Sequence, residues 1–322
     1  NTNRGASLHD SLAPDAYHIM TNDRKVFIYG GSHKGTIYAV IDLLEGWGCR
    51  RFSPEEYYIP RVKTLSLSPV DRTRIPANDL RIINGVMTGD PEYADWLRIS
   101  TIPEVFPPGY YVHTFERLLP KEEYFDPHPD YYAWLGNKFS HDQPCLSNPE
   151  VKDLIIEKLG REMQANPGGD LWSVSQNDNF TYCRCEKCLE VISEEGSPSG
   201  PVIRLVNDVA AAFPGKTITT LAYQFTRAAP ALTKPSDNVM VMLCTIELNR
   251  SMPINNDSSS RSFVKDITDW GRISRNIYLW DYTINFNHCI SPFPNLHVLQ
   301  PNLQFFCENN VRKHFPQSNL QK

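Results

Sequence analysis

The chain has 322 residues, 41% of them hydrophobic and 21% charged, with a formal net charge of −5. That length accommodates one barrel of about 250 residues plus a smaller companion domain, and the composition is that of an ordinary globular protein. Scattered Lys and Arg and a mildly negative balance argue against a nucleic-acid groove or an anionic membrane as partner. No apolar run approaches the ~18–20 residues needed to span a membrane. The sequence opens at Asn1 with no signal peptide in view, which leaves the compartment open. Fifteen Tyr, fifteen Phe and six Trp suit flat sugar-binding platforms, and equally suit a large core.

Residues 16–70 read as one unit within a first domain expected over 1–72. Two β-rich runs, Ala16–Met20 and Lys25–Gly30, flank the turn signal Asn22-Asp23. Gly35–Leu44 then carries apolar residues at helical spacing, and Gly46 and Gly48 end that helix. Arg50-Arg51-Phe52 leads into an extended stretch, and the alternation of Leu65 and Leu67 predicts a last strand over Thr64–Ser68. Asp71–Pro76 reads as the linker to a second domain, 73–322.

From residue 79 onward strand-like runs alternate with helical or long loop segments. The runs are Leu80–Val86, Tyr110–His113, Tyr131–Trp134, Leu171–Asp178, Thr217–Tyr223, Val239–Glu247, Ile277–Asp281 and Val311–Phe315. Helices are expected over Glu150–Ala165, Pro201–Ala212, Ser260–Ile273 and Leu299–Asn309. This alternation implies parallel strands with crossover helices, and eight runs fit a (β/α)8 barrel whose last helix is missing.

In such a barrel the chemistry collects where strands end at one face. The fourth run closes on Gln176-Asn177-Asp178, the sixth on Glu247 with Arg250 beyond, and the seventh on Asp281-Tyr282. Carboxylates at the mouth of a closed barrel are partly desolvated and near one another, which separates their pKa values. One can then hold a proton while another stays ionised, as glycosidic bond cleavage requires. Each carboxylate alone also fits a helix or turn cap. Tyr223, Trp280 and Tyr282 are candidates for stacking on a sugar face. His113 is a candidate for bonding a sugar hydroxyl or for pinning its loop to the rim.

Cys49, Cys145, Cys244, Cys289 and Cys307 stand alone and read as buried thiols. Cys183, Cys185 and Cys188 cluster at spacings compatible with zinc or a redox pair. A tetrahedral site needs a fourth ligand, which His113, His128, His141 or Cys145 can supply through the fold. A structural zinc, a disulfide with one free thiol, and three plain thiols all remain open, and no cofactor is required for the expected chemistry.

Ala16–Ile19, Gly35–Val40 and Leu43–Phe52 resemble the α/β domain that precedes the barrel in family 20 β-hexosaminidases and family 67 α-glucuronidases. His113-Thr114-Phe115, Asp126–Ala133, Cys145–Glu150, Gln176–Asp178 with Cys183–Cys188, and Tyr278–Tyr282 resemble a glycoside-hydrolase-like domain of unknown function, DUF4838, common in Bacteroidetes. The resemblance implies a secreted, periplasmic or cell-surface protein of polysaccharide utilisation and supplies no settled activity. Family 20 carries an adjacent Asp-Glu pair after its fourth strand, whereas Asp178 is followed by Asn179, so substrate-assisted hydrolysis is not implied.

The expectation is therefore a glycoside hydrolase acting on a carbohydrate, with Asp178 as general acid, Glu247 as base or nucleophile and Asp281 in reserve. His113, Gln176, Asn177, Tyr223, Arg250, Trp280 and Tyr282 are its candidate substrate contacts, Arg250 as a fork for an acidic sugar. The alternative is a glycan-binding protein on the same scaffold without turnover.

Overall fold

A computed structural model describes residues 11–288, 291 and 293–318, so the expectation for Cys289 lies outside the described residues. The chain divides into two compact units, one reaching Thr101 and including Ser318, the other spanning Ile102–Gln317. The expected boundary at residues 72 and 73 falls inside the first unit.

In the first unit β1 (Tyr17–Asn22) and β2 (Lys25–Gly30) form an antiparallel hairpin. Its turn holds Asp23 at φ 54°, a left-handed conformation that Asp tolerates better than most side chains. Helix α1 (His33–Gly46) starts where the Ser32 side chain accepts from the Gly35 amide. Tyr38, Ala39 and Ile41 of α1 pack on Tyr17 and Ile19. Gly35 is needed at that approach, because a Cβ there would stand 2.5 Å from the Ala16 carbonyl oxygen. β3 (Arg50–Arg51) pairs with β4 (Tyr57–Tyr58) in a short hairpin.

The third strand of the main sheet corrects the sequence reading. It is β5 (Asp71–Arg74), the segment expected to be linker, and it pairs antiparallel with β1. Thr64–Ser68 forms no strand, and Leu65 is exposed. Polar contacts hold β5: Arg72 reaches Asp42 at 2.5 Å, and Thr73 Oγ1 lies 2.9 Å from His18 Nδ1. An edge strand held this way carries no apolar alternation to be read. The first run of the expected barrel shortens to the two-residue strand β6 (Leu80–Arg81).

The second unit combines a hairpin, a parallel sheet and crossover helices. β7 (Tyr132–Trp134) and β8 (Phe139–Pro144) pair antiparallel, so the expected third barrel strand is one arm of a hairpin. Helix α2 (Pro149–Ala165) begins at the Asn148 cap and buries Val151, Ile155, Leu159 and Met163 along one face. β9 (Leu171–Ser173) then opens the parallel sheet. Helix α3 (Glu186–Glu195), which sequence reading left as loop, and α4 (Ser199–Ala212) lead to β10 (Thr217–Ala222) and β11 (Val239–Cys244). Helix α5 (Arg261–Ile273) leads to β12 (Ile277–Tyr282), and α6 (Leu296–Glu308), with Pro301 inside it, leads to β13 (Val311–Gln317).

β9 to β13 lie side by side in chain order, all parallel. All six residues of β11 are buried, as expected of a central parallel strand covered on both faces. Val239, Val241 and Leu243 join the large cluster with Phe263, Ile267 and Trp270 of α5. Burying each such aliphatic side chain stabilises by roughly 1.5–3 kcal/mol. By alternation, Met240, Met242 and Cys244 face the other side. Tyr110–His113, expected as the second strand, is not one. It runs beside β9 through Ser173 N–H donating to the Tyr110 carbonyl, then turns at His113.

Candidate active site and cysteine cluster

The parallel strands all end at one edge, and most of the expected residues collect there. Past β9 the backbone stays extended, with Val174 N–H donating to the Thr219 carbonyl. It reaches Asp178, an exposed carboxylate that accepts from the Gln224 amide at 3.3 Å. Tyr223, at the end of β10, lies beside it. Burial, then the Asp178 charge, pushes the Tyr223 hydroxyl up to about 12. The His113 ring stands 6.2 Å from that of Tyr223, and its Nδ1 lies 2.8 Å from the Gln176 carbonyl oxygen. His113 and Gln224 hold φ values of 55° and 53°, left-handed backbone that costs about 1–3 kcal/mol each and gathers at functional sites.

Glu247, beyond β11, is also exposed and ion-pairs with Arg227 at 3.2 Å; Arg227 in turn bonds Asp266 at 2.7 Å. Asp178 and Glu247 share one surrounding. Burial raises the Cys244 thiol and the Tyr282 hydroxyl, and the charges of both carboxylates push each of them further the same way. Gln224 and Arg227, three residues apart, hold one carboxylate each, so both acidic groups lie against the segment that follows β10.

Asp281 differs. Its side chain is only 14% exposed, accepts from Thr245 Oγ1 at 2.8 Å and from the Tyr282 N–H at 2.9 Å, and stands 3.7 Å from His314 Nε2. Burial raises its carboxyl, but the His314 imidazole, the Thr245 hydroxyl and the Tyr282 amide outweigh burial and leave it below the ordinary carboxylate range. Its oxygens are thus engaged by Thr245, Tyr282 and His314, which commits the carboxylate to its neighbours.

Gln176 and Asn177 are committed inside the protein. The Gln176 amide donates to the Tyr223 carbonyl at 3.0 Å and accepts from Thr226 Oγ1 at 2.5 Å. Asn177 donates to the Asp142 carbonyl at 2.8 Å and accepts from the Glu116 N–H at 3.0 Å. Both brace the loop that presents Asp178. Arg250 spends its guanidinium on the carbonyls of Tyr282, Leu248 and Ile246, so its fork faces backbone rather than an incoming carboxylate. Trp280 and Tyr282 stack at 6.0 Å, and Trp280 stacks on Tyr111 at 5.6 Å.

Sequence reading missed several groups here. Phe180, two residues past Asp178, is 75% exposed, and Phe286 sits edge-on to Tyr282 at 5.7 Å. The hydroxyls of Tyr111 and Tyr278 and Gln224 Oε1 are buried polar atoms without a hydrogen-bond partner among the described residues. Alternating apolar runs gave no signal for any of these.

The cysteines gather elsewhere. Cys145, isolated in sequence but named with three histidines as a possible fourth ligand, joins Cys183, Cys185 and Cys188, with all four sulfurs within 4.8 Å of one another. Cys244 is buried, while Cys49 and Cys307 are only half-buried, against the expectation of burial. The neighbouring thiols of Cys145 and Cys188 pull the Cys183 thiol well below its ordinary range.

No curated protein matches the chain. Among solved structures it is similar to a GH138 enzyme targeting pectin rhamnogalacturonan II, at 12% identity and TM-score 0.38, covering 94% of this chain and 40% of that one. It is also similar to a GH20 exo β-N-acetylglucosaminidase from Vibrio harveyi, at 10% identity and TM-score 0.41, covering 96% and 59%. A GH36 α-galactosidase from Geobacillus stearothermophilus follows, at 14% identity and TM-score 0.31, covering 62% and 26%. The chain thus spans less than two thirds of the length of each of these structures. Residues 51–322 match the family model described as a domain of unknown function, DUF4838, and the chain belongs to that family.

Proposed function

We propose that this chain is a glycoside hydrolase that cleaves a glycosidic bond in an oligo- or polysaccharide, with its parallel sheet belonging to a (β/α)8 barrel. The observation that carries the reading is the pair of exposed carboxylates, Asp178 and Glu247, held by Gln224 and Arg227 against the one segment that follows β10. Asp178 acts as general acid, donating to the leaving oxygen. Glu247, paired with Arg227, works as the anion, either activating water or attacking the sugar. Tyr223 and Phe180 offer ring faces to the sugar, and His113 a ring nitrogen to a hydroxyl, while the Trp280 ring is engaged by Tyr111 and Tyr282. Asp281, Gln176, Asn177 and Arg250 serve as positioning residues, in keeping with their internal bonds. Polysaccharide degradation goes with a periplasmic or cell-surface address, which fractionation of the source cells would test.

A screen of the protein against aryl-glycosides and plant and host glycans tests the reading. Turnover of at least one should fall by about 10²–10⁴ in Asp178→Asn and in Glu247→Gln, the range for losing a general acid or base. Glycan binding without turnover in the unaltered protein would instead identify a binding module. Turnover that survives both substitutions would remove these carboxylates from the mechanism.

A further inference from the structure

Cys145 follows β8, whereas Cys183, Cys185 and Cys188 run from the loop after β9 into the first turn of α3. Cys145 Sγ lies 3.7 Å from Cys185 Sγ and 3.9 Å from Cys188 Sγ. Four thiolates bonded to one zinc at ~2.3 Å stand about 3.8 Å apart along the edges of their tetrahedron. A disulfide needs ~2.05 Å between sulfurs, so neither pair is close to one. The sulfides of an iron–sulfur cluster would push four cysteines farther apart than these stand. The spacing matches a single ion.

We propose that Cys145, Cys183, Cys185 and Cys188 bind one zinc ion in a closed tetrathiolate site that clamps the β7–β8 hairpin to the loop presenting Asp178. The surroundings suit bound thiolates. Trp134 N–H donates to Cys183 Sγ at 3.3 Å, and the Ser147 hydroxyl lies 3.1 Å from Cys188 Sγ, the kind of outer contact that orients metal ligands. Cys185 is the N-cap of α3, where the helix's positive end favours anionic sulfur. Ala133, Trp134 and Leu135 pack around the group and shield it. Four protein ligands leave no open position for water or substrate, so the ion is structural rather than catalytic. The site stands whether or not the chain is a hydrolase.

Metal analysis of the protein, expressed with zinc available and purified without chelator, tests this. One equivalent of zinc per chain is expected, with most of it lost in Cys185→Ser and none lost in Cys49→Ser. Cobalt taken up in its place should give the intense visible bands of tetrahedral thiolate coordination. Should Cys185→Ser fail to fold, the zinc stoichiometry and cobalt spectrum of the unaltered protein decide alone. The proposal is overturned if the reduced protein holds no stoichiometric metal even after anaerobic reconstitution with zinc. It is equally overturned if peptide mapping of the folded protein finds these cysteines joined as disulfides, or if Cys185→Ser keeps its full zinc and an unchanged cobalt spectrum.

Discussion

The ends of β9 and β11 and the end of β12 look alike in sequence, each an apolar run that closes on a carboxylate, yet the fold treats them differently. Asp178 and Glu247 face solvent, one accepting from a single amide and the other paired with a single Arg. Asp281 is enclosed, with a hydroxyl, a backbone N–H and an imidazole around it. Hydrogen-bond capacity that the fold leaves unspent is available to a substrate, and capacity already spent is architecture. By that criterion Asp178 and Glu247 are open to a substrate, and Asp281 is committed to the protein.

Substitutions can break this contrast. The largest effect expected is on turnover, the drop of about 10²–10⁴ for Asp178→Asn or Glu247→Gln. Because both side chains are exposed, thermal or urea unfolding should place either variant within about 0.5 kcal/mol of the parent. Asp281→Asn should reverse that profile on the stability side and cost about 1–2 kcal/mol, since a charge-assisted set of contacts becomes a neutral one.

Acid unfolding sharpens the same point. The folded carboxyl of Asp281 lies below its unfolded value of about 3.9, so its contribution is fully present above that pH. It is lost as pH falls through the lower folded value. The Asp281→Asn penalty should therefore be constant above about pH 5 and shrink in more acid solution; a penalty that grows on acidification would contradict the assignment. The smallest effect belongs to Tyr223→Phe. It removes the hydroxyl beside Asp178 and keeps the ring, so kcat should change by less than about tenfold, with any shift in the basic limb of the pH–rate profile, where a general acid is lost. A loss comparable to that of Asp178→Asn would make Tyr223 a participant in proton transfer.

The sequence was legible where one force dominated. β10, β11 and β12 are apolar runs buried on both faces, and the helices α2, α4 and α5 carry clear apolar stripes, so each was expected near its place. β5 was not, because polar side-chain contacts hold that edge. The Tyr131–Trp134 run was assigned to the barrel although Gly136-Asn137 marks a hairpin turn. Leu135 N–H bonds the Lys138 carbonyl across it, and Gly136 has φ 97°. Side-chain commitments were the least legible. Nothing in the sequence marks Glu195, at the end of α3, as different from its neighbour Glu194, yet it is 1% exposed. Burial works against its charge, but the Thr233 hydroxyl, the Thr233 and Leu232 amides and Arg204 outweigh it and hold the carboxyl down at about 2. Arg250 and Gln176 point the same way: residue type named them as contacts, and only the fold reveals their bonds to backbone and Thr226.

The place of Cys145 also has a consequence for the unfolded chain. An ion joining it to Cys188 closes a loop of about 40 residues that contains all of α2 and β9. Denying an unfolded chain the freedom of a loop that long is worth about 4 kcal/mol in the chain-entropy model of a cross-link. The gain would come from impoverishing the disordered state rather than from adding contacts to the ordered one. It would fall on the segment that delivers Asp178, which would then be among the last parts of the molecule to loosen.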